Sequence, residues 1–241
     1  MAILEMKAVT KSFGALTVAD GIDLQLEDGE ALGVIGPNGA GKSTMFNLIA
    51  GVLAPDGGAI VFQGRDVTAN SAAERCRAGI GRSYQVPHPF SGITVFENLL
   101  VGATFGDAMT EREAYGRCAE ILRETGLLKR ANTVAGGLSL LDRKRLEMAR
   151  AMATGPKLLL LDEIAGGLTE GECQSLIATI NRIRSTGVSI IWIEHVTHAL
   201  LAVVDRLMVL NFGKKIGEGE PRAVMESAEV QEIYMGIEVD A

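Results

Sequence analysis

Apolar positions along this chain follow two patterns that take turns. Short unbroken apolar runs, at Ala31 to Ile35, Lys157 to Leu161, Val188 to Ile193 and Arg206 to Leu210, alternate with helical stretches. Continuous apolar strands of this kind belong to a parallel sheet covered on both faces. Leu4 to Val9, Leu24 to Leu26 and Ala59 to Phe62 read as further strands, and Lys42 to Ala50 as a helix. From about Thr94 to Ala153 the pattern turns helical. There, Glu111 to Thr125 and Arg143 to Met152 carry charged residues three and four positions apart. The expectation is one α/β domain over residues 1–241, with a core at about 1–90 and 155–241 and a helical subdomain inserted at about 91–154.

The apolar runs Leu158 to Leu161 and Ser189 to Ile193 are strand-length, and each ends at a carboxylate. A membrane-crossing helix needs about 20 apolar residues. The N-terminal stretch has the strand pattern and not the basic and apolar regions of a signal peptide. Any membrane role is therefore expected to be peripheral.

One strand-to-helix junction carries chemistry. Gly36-Pro37-Asn38-Gly39-Ala40-Gly41-Lys42-Ser43-Thr44 fits G-x-x-x-x-G-K-[ST] in full, after a buried strand and before a helix. Glycines let backbone N–H groups close around phosphate oxygens, and a helix N-terminus favours an anion. Lys42 is expected to reach the β- and γ-phosphates of ATP, with the Ser43 hydroxyl on Mg²⁺. The run Leu158 to Leu161 ends in Asp162-Glu163, at the strand end where ligands bind in open α/β sheets. Asp162 is expected to hold Mg²⁺ through water, and Glu163 to polarise the attacking water as general base.

Charge narrows the partners. With 23 basic and 30 acidic residues the net charge is −7, which argues against a nucleic-acid partner. Cys76, Cys118 and Cys173 are scattered, so no zinc or disulfide framework follows.

With these motifs in this order the chain resembles the ATP-binding cassette (ABC) family over nearly its whole length. The resemblance implies a P-loop NTPase core with an antiparallel β element near the N-terminus. It further implies that Phe13 stacks on adenine, that Gln85 senses Mg²⁺, and that His195 contacts the γ-phosphate. The stretches around Ser83-Tyr84-Gln85, Arg143 to Arg150 and Val209 to Gly219, and an end near Tyr234-Met235-Gly236, are most similar to ATP-binding subunits of branched-chain amino acid importers. Importers of urea or short amides look similar. The implied partners are a second ATPase subunit, identical or a sister, polytopic permease subunits and, indirectly, a solute-binding protein. The implied place is the cytoplasmic face of the inner membrane. Two other readings stay open: an ABC ATPase acting on ribosomes or DNA, and a nucleotide-binding regulatory module without turnover.

The chain departs from the family at its signature. Leu138-Ser139-Leu140-Leu141-Asp142 stands where Leu-Ser-Gly-Gly-Gln is usual. In the family this segment binds the γ-phosphate held by the opposite subunit, a role that Ser139 can still serve. Leu140 adds bulk and Asp142 a negative charge. Ser139-x-x-Asp142 also fits a capping box. Ile164 replaces the usual Pro after the catalytic Glu, and Thr169 stands near the usual Asn or Asp.

Overall fold

The unbroken apolar runs form the middle of a sheet buried on both faces. The computed structural model describes residues 1–107 and 109–235, so Gly236 of the terminal Tyr234-Met235-Gly236 stretch lies outside the described residues. The strands are β1 (Ala2–Phe13), β2 (Leu16–Glu27), β3 (Ala31–Ile35), β4 (Gly57–Phe62), β5 (Arg65–Asp66), β6 (Ile80–Arg82), β7 (Leu158–Asp162), β8 (Ser189–Ile193), β9 (Arg206–Asn211) and β10 (Lys214–Gly219). The helices are α1 (Lys42–Ile49), α2 (Ala72–Ala78), α3 (Val95–Phe105), α4 (Glu111–Glu124), α5 (Leu140–Ala153), α6 (Glu170–Arg184), α7 (Thr197–Leu201), α8 (Pro221–Glu226) and α9 (Ala228–Met235).

Every residue of β3, β7 and β8 is buried. Their side chains alternate between two cores. Leu32, Val34, Leu158, Leu160, Ile191 and Ile193 belong to one, and Leu159, Leu161, Ile190 and Trp192 to the other. Successive strand residues point to opposite faces, so two-sided burial demands an unbroken apolar run. Each such side chain contributes roughly 1.5–3 kcal/mol relative to exposure.

This sheet runs β10-β9-β3-β8-β7-β6. All its neighbouring pairs are parallel except β9 and β10. The C-terminal ends of β3, β6, β7 and β8 therefore meet along one edge. A second, antiparallel sheet, β2-β1-β4-β5, supplies Leu4, Met6, Ile22, Leu24, Ile60 and Phe62 to the first core, together with Met45 and Phe46 of α1. β1 runs well past the Leu4 to Val9 stretch because its alternation breaks at a bulge. Ala8 there has φ +45 and its N–H donates to Asp23 Oδ1 at 2.8 Å.

The helical stretch from Thr94 to Ala153 resolves into α3, α4 and α5. Thr94 with Glu97 and Thr110 with Glu113 close full capping boxes on α3 and α4. The capping box expected at Ser139 forms only by half. Ser139 Oγ accepts from the Asp142 N–H at 3.2 Å. The Asp142 carboxylate turns instead toward Arg145 at 3.6 Å and Arg130 at 3.8 Å. Aspartate is one methylene shorter than the Glu or Gln that closes such a box.

Candidate functional site

Four parallel strands deliver the site from their C-terminal ends: β3 the glycine-rich loop, β7 Asp162 and Glu163, β8 the turn to His195, and β6 Arg82 and the segment to Gln85. The loop holds its path because a side chain would collide at two glycines. A Cβ on Gly36 would lie 2.2 Å from the Leu210 carbonyl oxygen, and one on Gly41, at φ +103, 2.5 Å from that of Val18. The β9–β10 turn supports the loop from outside, with the Gly213 N–H donating to Ala40 O at 3.0 Å.

Lys42 is 6% exposed and its Nζ donates to the carbonyls of Gly36 at 2.6 Å and Pro37 at 3.0 Å. Burial pushes its pKa down, while Glu163 and Asp162 pull it back up. The loop borders a cavity of about 270 Å³ whose lining includes Asn38 to Thr44, Leu16, Val18 and Glu163. Backbone N–H groups at the N-terminus of α1 and one lysine make this cavity suited to a phosphate chain.

Asp162 is almost fully buried. Its Oδ2 accepts from Arg82 Nη2 at 2.9 Å, and its buried Oδ1 has no hydrogen-bond partner among the described residues. Burial pushes the Asp162 pKa up, with Arg82 opposing. A buried carboxylate with one free oxygen, near enough to Lys42 for their charges to interact, fits a Mg²⁺ ligand set.

Glu163 joins the sheet edge together. One oxygen accepts from Gln85 Nε2 at 2.6 Å and the other lies 3.0 Å from His195 Nε2. Its backbone is left-handed, φ +46, and its N–H is held by Ile193 O at 2.8 Å. Strained backbone of this kind persists only where its surroundings over-determine it. One of those neighbours is Glu194, 1% exposed. Its carboxylate accepts from the N–H of Ala165 at 2.8 Å and of His195 at 2.9 Å, tying the segment after Glu163 to the turn that carries His195.

Of the residues singled out from the sequence, Gln85, Glu163 and His195 form one hydrogen-bonded cluster. Lys42 and Asp162 lie close enough to it for their charges to interact. Phe13 is half exposed at the end of β1, paired in register with Leu16 of the cavity wall. Ser139 does not line this cavity and is the exposed N-cap of α5. Thr169 closes a capping box with Glu172 on α6. Sequence reasoning missed Arg82, Glu194 and Lys144. Glu194 directly follows the apolar run ending at Ile193, a signal that could have flagged it, whereas Arg82 lies between Gly81 and Ser83 and Lys144 between Arg143 and Arg145.

Residues 19–166 match the family model described as ABC transporter. The chain is 34% identical to the high-affinity branched-chain amino acid transport ATP-binding protein BraF of Pseudomonas aeruginosa, over 97% of this chain and 98% of the relative. It also superposes on a crystal structure of the ADP conformation of an ATP-binding cassette of an ABC transporter. That match has a TM-score of 0.91 and 32% identity, over 98% of this chain and 100% of the other. A dimeric bacterial ABC transporter cassette, 24% identical, shares the fold with a TM-score of 0.81, over 91% of this chain and 99% of the other.

Proposed function

The chain belongs to the ABC transporter family, and from that premise we propose that it binds Mg²⁺·ATP and hydrolyses it to power an importer of branched-chain or other hydrophobic amino acids. The observation that carries the reading is the clamp on Glu163, held between Gln85 and His195 at the wall of the phosphate-loop cavity. The amino-acid assignment draws on the similarity to BraF.

In this reading the loop from Gly36 to Thr44 cradles the phosphates, with Gly36, Asn38, Gly39, Ala40 and Gly41 lending backbone and Lys42 moving from its loop carbonyls to the β- and γ-oxygens. Phe13 supports the adenine. Ser43 and Gln85, and Asp162 through water, would hold Mg²⁺, which would neutralise developing charge on the phosphates. Glu163 takes the proton of the attacking water. Its hydrogen bonds to Gln85 and His195 orient the carboxylate, and His195 also meets the γ-phosphate. Residues 91–154 act as a helical subdomain between core segments 1–90 and 155–241. The packing of α3 on α4 and α5 supports that division.

A second cassette, a copy or a sister, completes the site by placing its signature over this chain's ATP, while Ser139 here serves the partner's. No helix among the described residues is long and apolar enough to cross a membrane. In this reading the chain works as a peripheral subunit at the cytoplasmic face of the inner membrane, docked on permease subunits that a solute-binding protein feeds. Purification of the intact complex tests this. The expected result is co-purification with a polytopic membrane protein and ATP hydrolysis stimulated by a branched-chain amino acid with its binding protein. Stable isolation without any membrane partner, or stimulation by ribosomes instead, would overturn it.

A further inference from the structure

Glu163 is a wall shared by two cavities. Beyond the one at the phosphate loop lies a second, of about 360 Å³, walled in part by Gln85, Leu140, Lys144, Glu194 and His195. Lys144 sits in the first turns of α5 and is 5% exposed. Among the described residues its ammonium makes no hydrogen bond and no ion pair, so a buried cation faces a roomy cavity with no acceptor of its own. Burial also pushes its pKa down, with Glu194 and Glu163 holding it up.

The two carboxylates on the wall already hold hydrogen bonds. Glu194 serves the N–H groups of Ala165, His195 and Val196, and Glu163 serves Gln85 and His195. Buried charges are normally paired. An anion entering the cavity would supply the partner that Lys144 lacks. The N-terminus of α5, represented on the wall by Leu140, adds a favourable field for it. The space greatly exceeds the roughly 30 Å³ share of one water, so a tetrahedral oxyanion fits.

We infer that this second cavity is a subsite for inorganic phosphate, the product released at the neighbouring loop, and that Lys144 is its anchoring cation. The inference rests on the reading of the first cavity as the ATP site.

The test uses the full-length chain with orthophosphate as the probe, followed by ³¹P NMR line broadening, and nucleotide affinity measured in parallel. Lys144→Met replaces an unpaired buried charge with an apolar side chain of similar length, so the fold is retained. It should weaken phosphate binding about 10- to 100-fold, the usual worth of a charge-assisted hydrogen bond, with ATP and ADP affinity unchanged. Lys144→Arg should keep most of the phosphate affinity. Lys42→Ala should lose nucleotide and keep phosphate. Unchanged phosphate affinity in Lys144→Met, or phosphate lost in Lys42→Ala and kept in Lys144→Met, overturns the subsite while leaving the ATP site standing. Unchanged nucleotide affinity in Lys42→Ala overturns the ATP site and the subsite with it.

Discussion

Arg82→Met should destabilise the fold strongly, and in a way that depends on pH. The Arg82 guanidinium donates to Asp162 Oδ2 at 2.9 Å, with the two side chains only 9% and 7% exposed. It also donates to Asn47 Oδ1 at 2.6 Å and lies over the Phe46 and Tyr84 rings, 5.6 and 4.9 Å from their centroids. Methionine keeps much of the packing and removes the charge. Stranding one partner of a buried ion pair costs roughly 3–5 kcal/mol, more than the ~0.5–2 kcal/mol of a cation–π contact. At about 2–4 °C per kcal/mol for a chain of this size, the melting temperature should fall by about 6–20 °C.

The pH dependence follows from Asp162, whose pKa burial raises against the pull of Arg82. A carboxylate with a raised folded-state pKa keeps its proton to higher pH in the folded than in the unfolded protein. Stability therefore falls as pH rises through the interval between the two values. Removing Arg82 extends that interval upward, so the loss should be largest near neutrality and shrink as pH falls. Urea unfolding of both proteins at about pH 7 and about pH 5 measures it. Adding Asp162→Asn to Arg82→Met removes the stranded charge and should recover more than half of the loss. A loss under about 1 kcal/mol at neutral pH, or one that does not change with pH, would refute the reasoning.

Lys42→Ala should nearly abolish ATP binding in a nucleotide titration, because among the described residues Lys42 is the one lysine or arginine lining the loop cavity; unchanged affinity would sink the loop assignment. The isolated chain should scatter light as a monomer and hydrolyse ATP slowly, since closure needs nucleotide and a second signature; a stable dimer without nucleotide contradicts this. Leu140→Gly with Asp142→Gln should raise turnover of the assembled transporter by less than about tenfold, because Arg130 and Arg145 already offset part of the Asp142 charge. A larger rise would mean that the Asp142 charge reaches the partner's phosphate in spite of them.

The central strands were legible in the sequence because two-sided burial leaves a one-dimensional trace. Leu158 to Leu161 can hardly be anything else between two charged ends. The phosphate loop was legible because its glycines and Lys42 act on consecutive residues. β6, only three residues long, gave too short a run to read. α6 also escaped notice, although Thr169 and Glu172 spell out its capping box. Least legible were pairings between distant positions. Arg82 meets Asp162 and Glu194 meets Ala165 across strands that only the sheet order brings together. The half-formed cap at Ser139 likewise depends on Arg130 and Arg145 competing for Asp142.

The measurement that bears most directly on the account is paired ATP binding and ATP turnover in Glu163→Gln. Glutamine preserves the shape of a side chain clamped between Gln85 and His195 and removes its capacity to take a proton. The account predicts binding close to that of the unmodified protein, turnover slower by about 10²–10⁴, and accumulation of a closed, ATP-bound dimer. Hydrolysis at the unmodified rate would contradict it and place the base elsewhere.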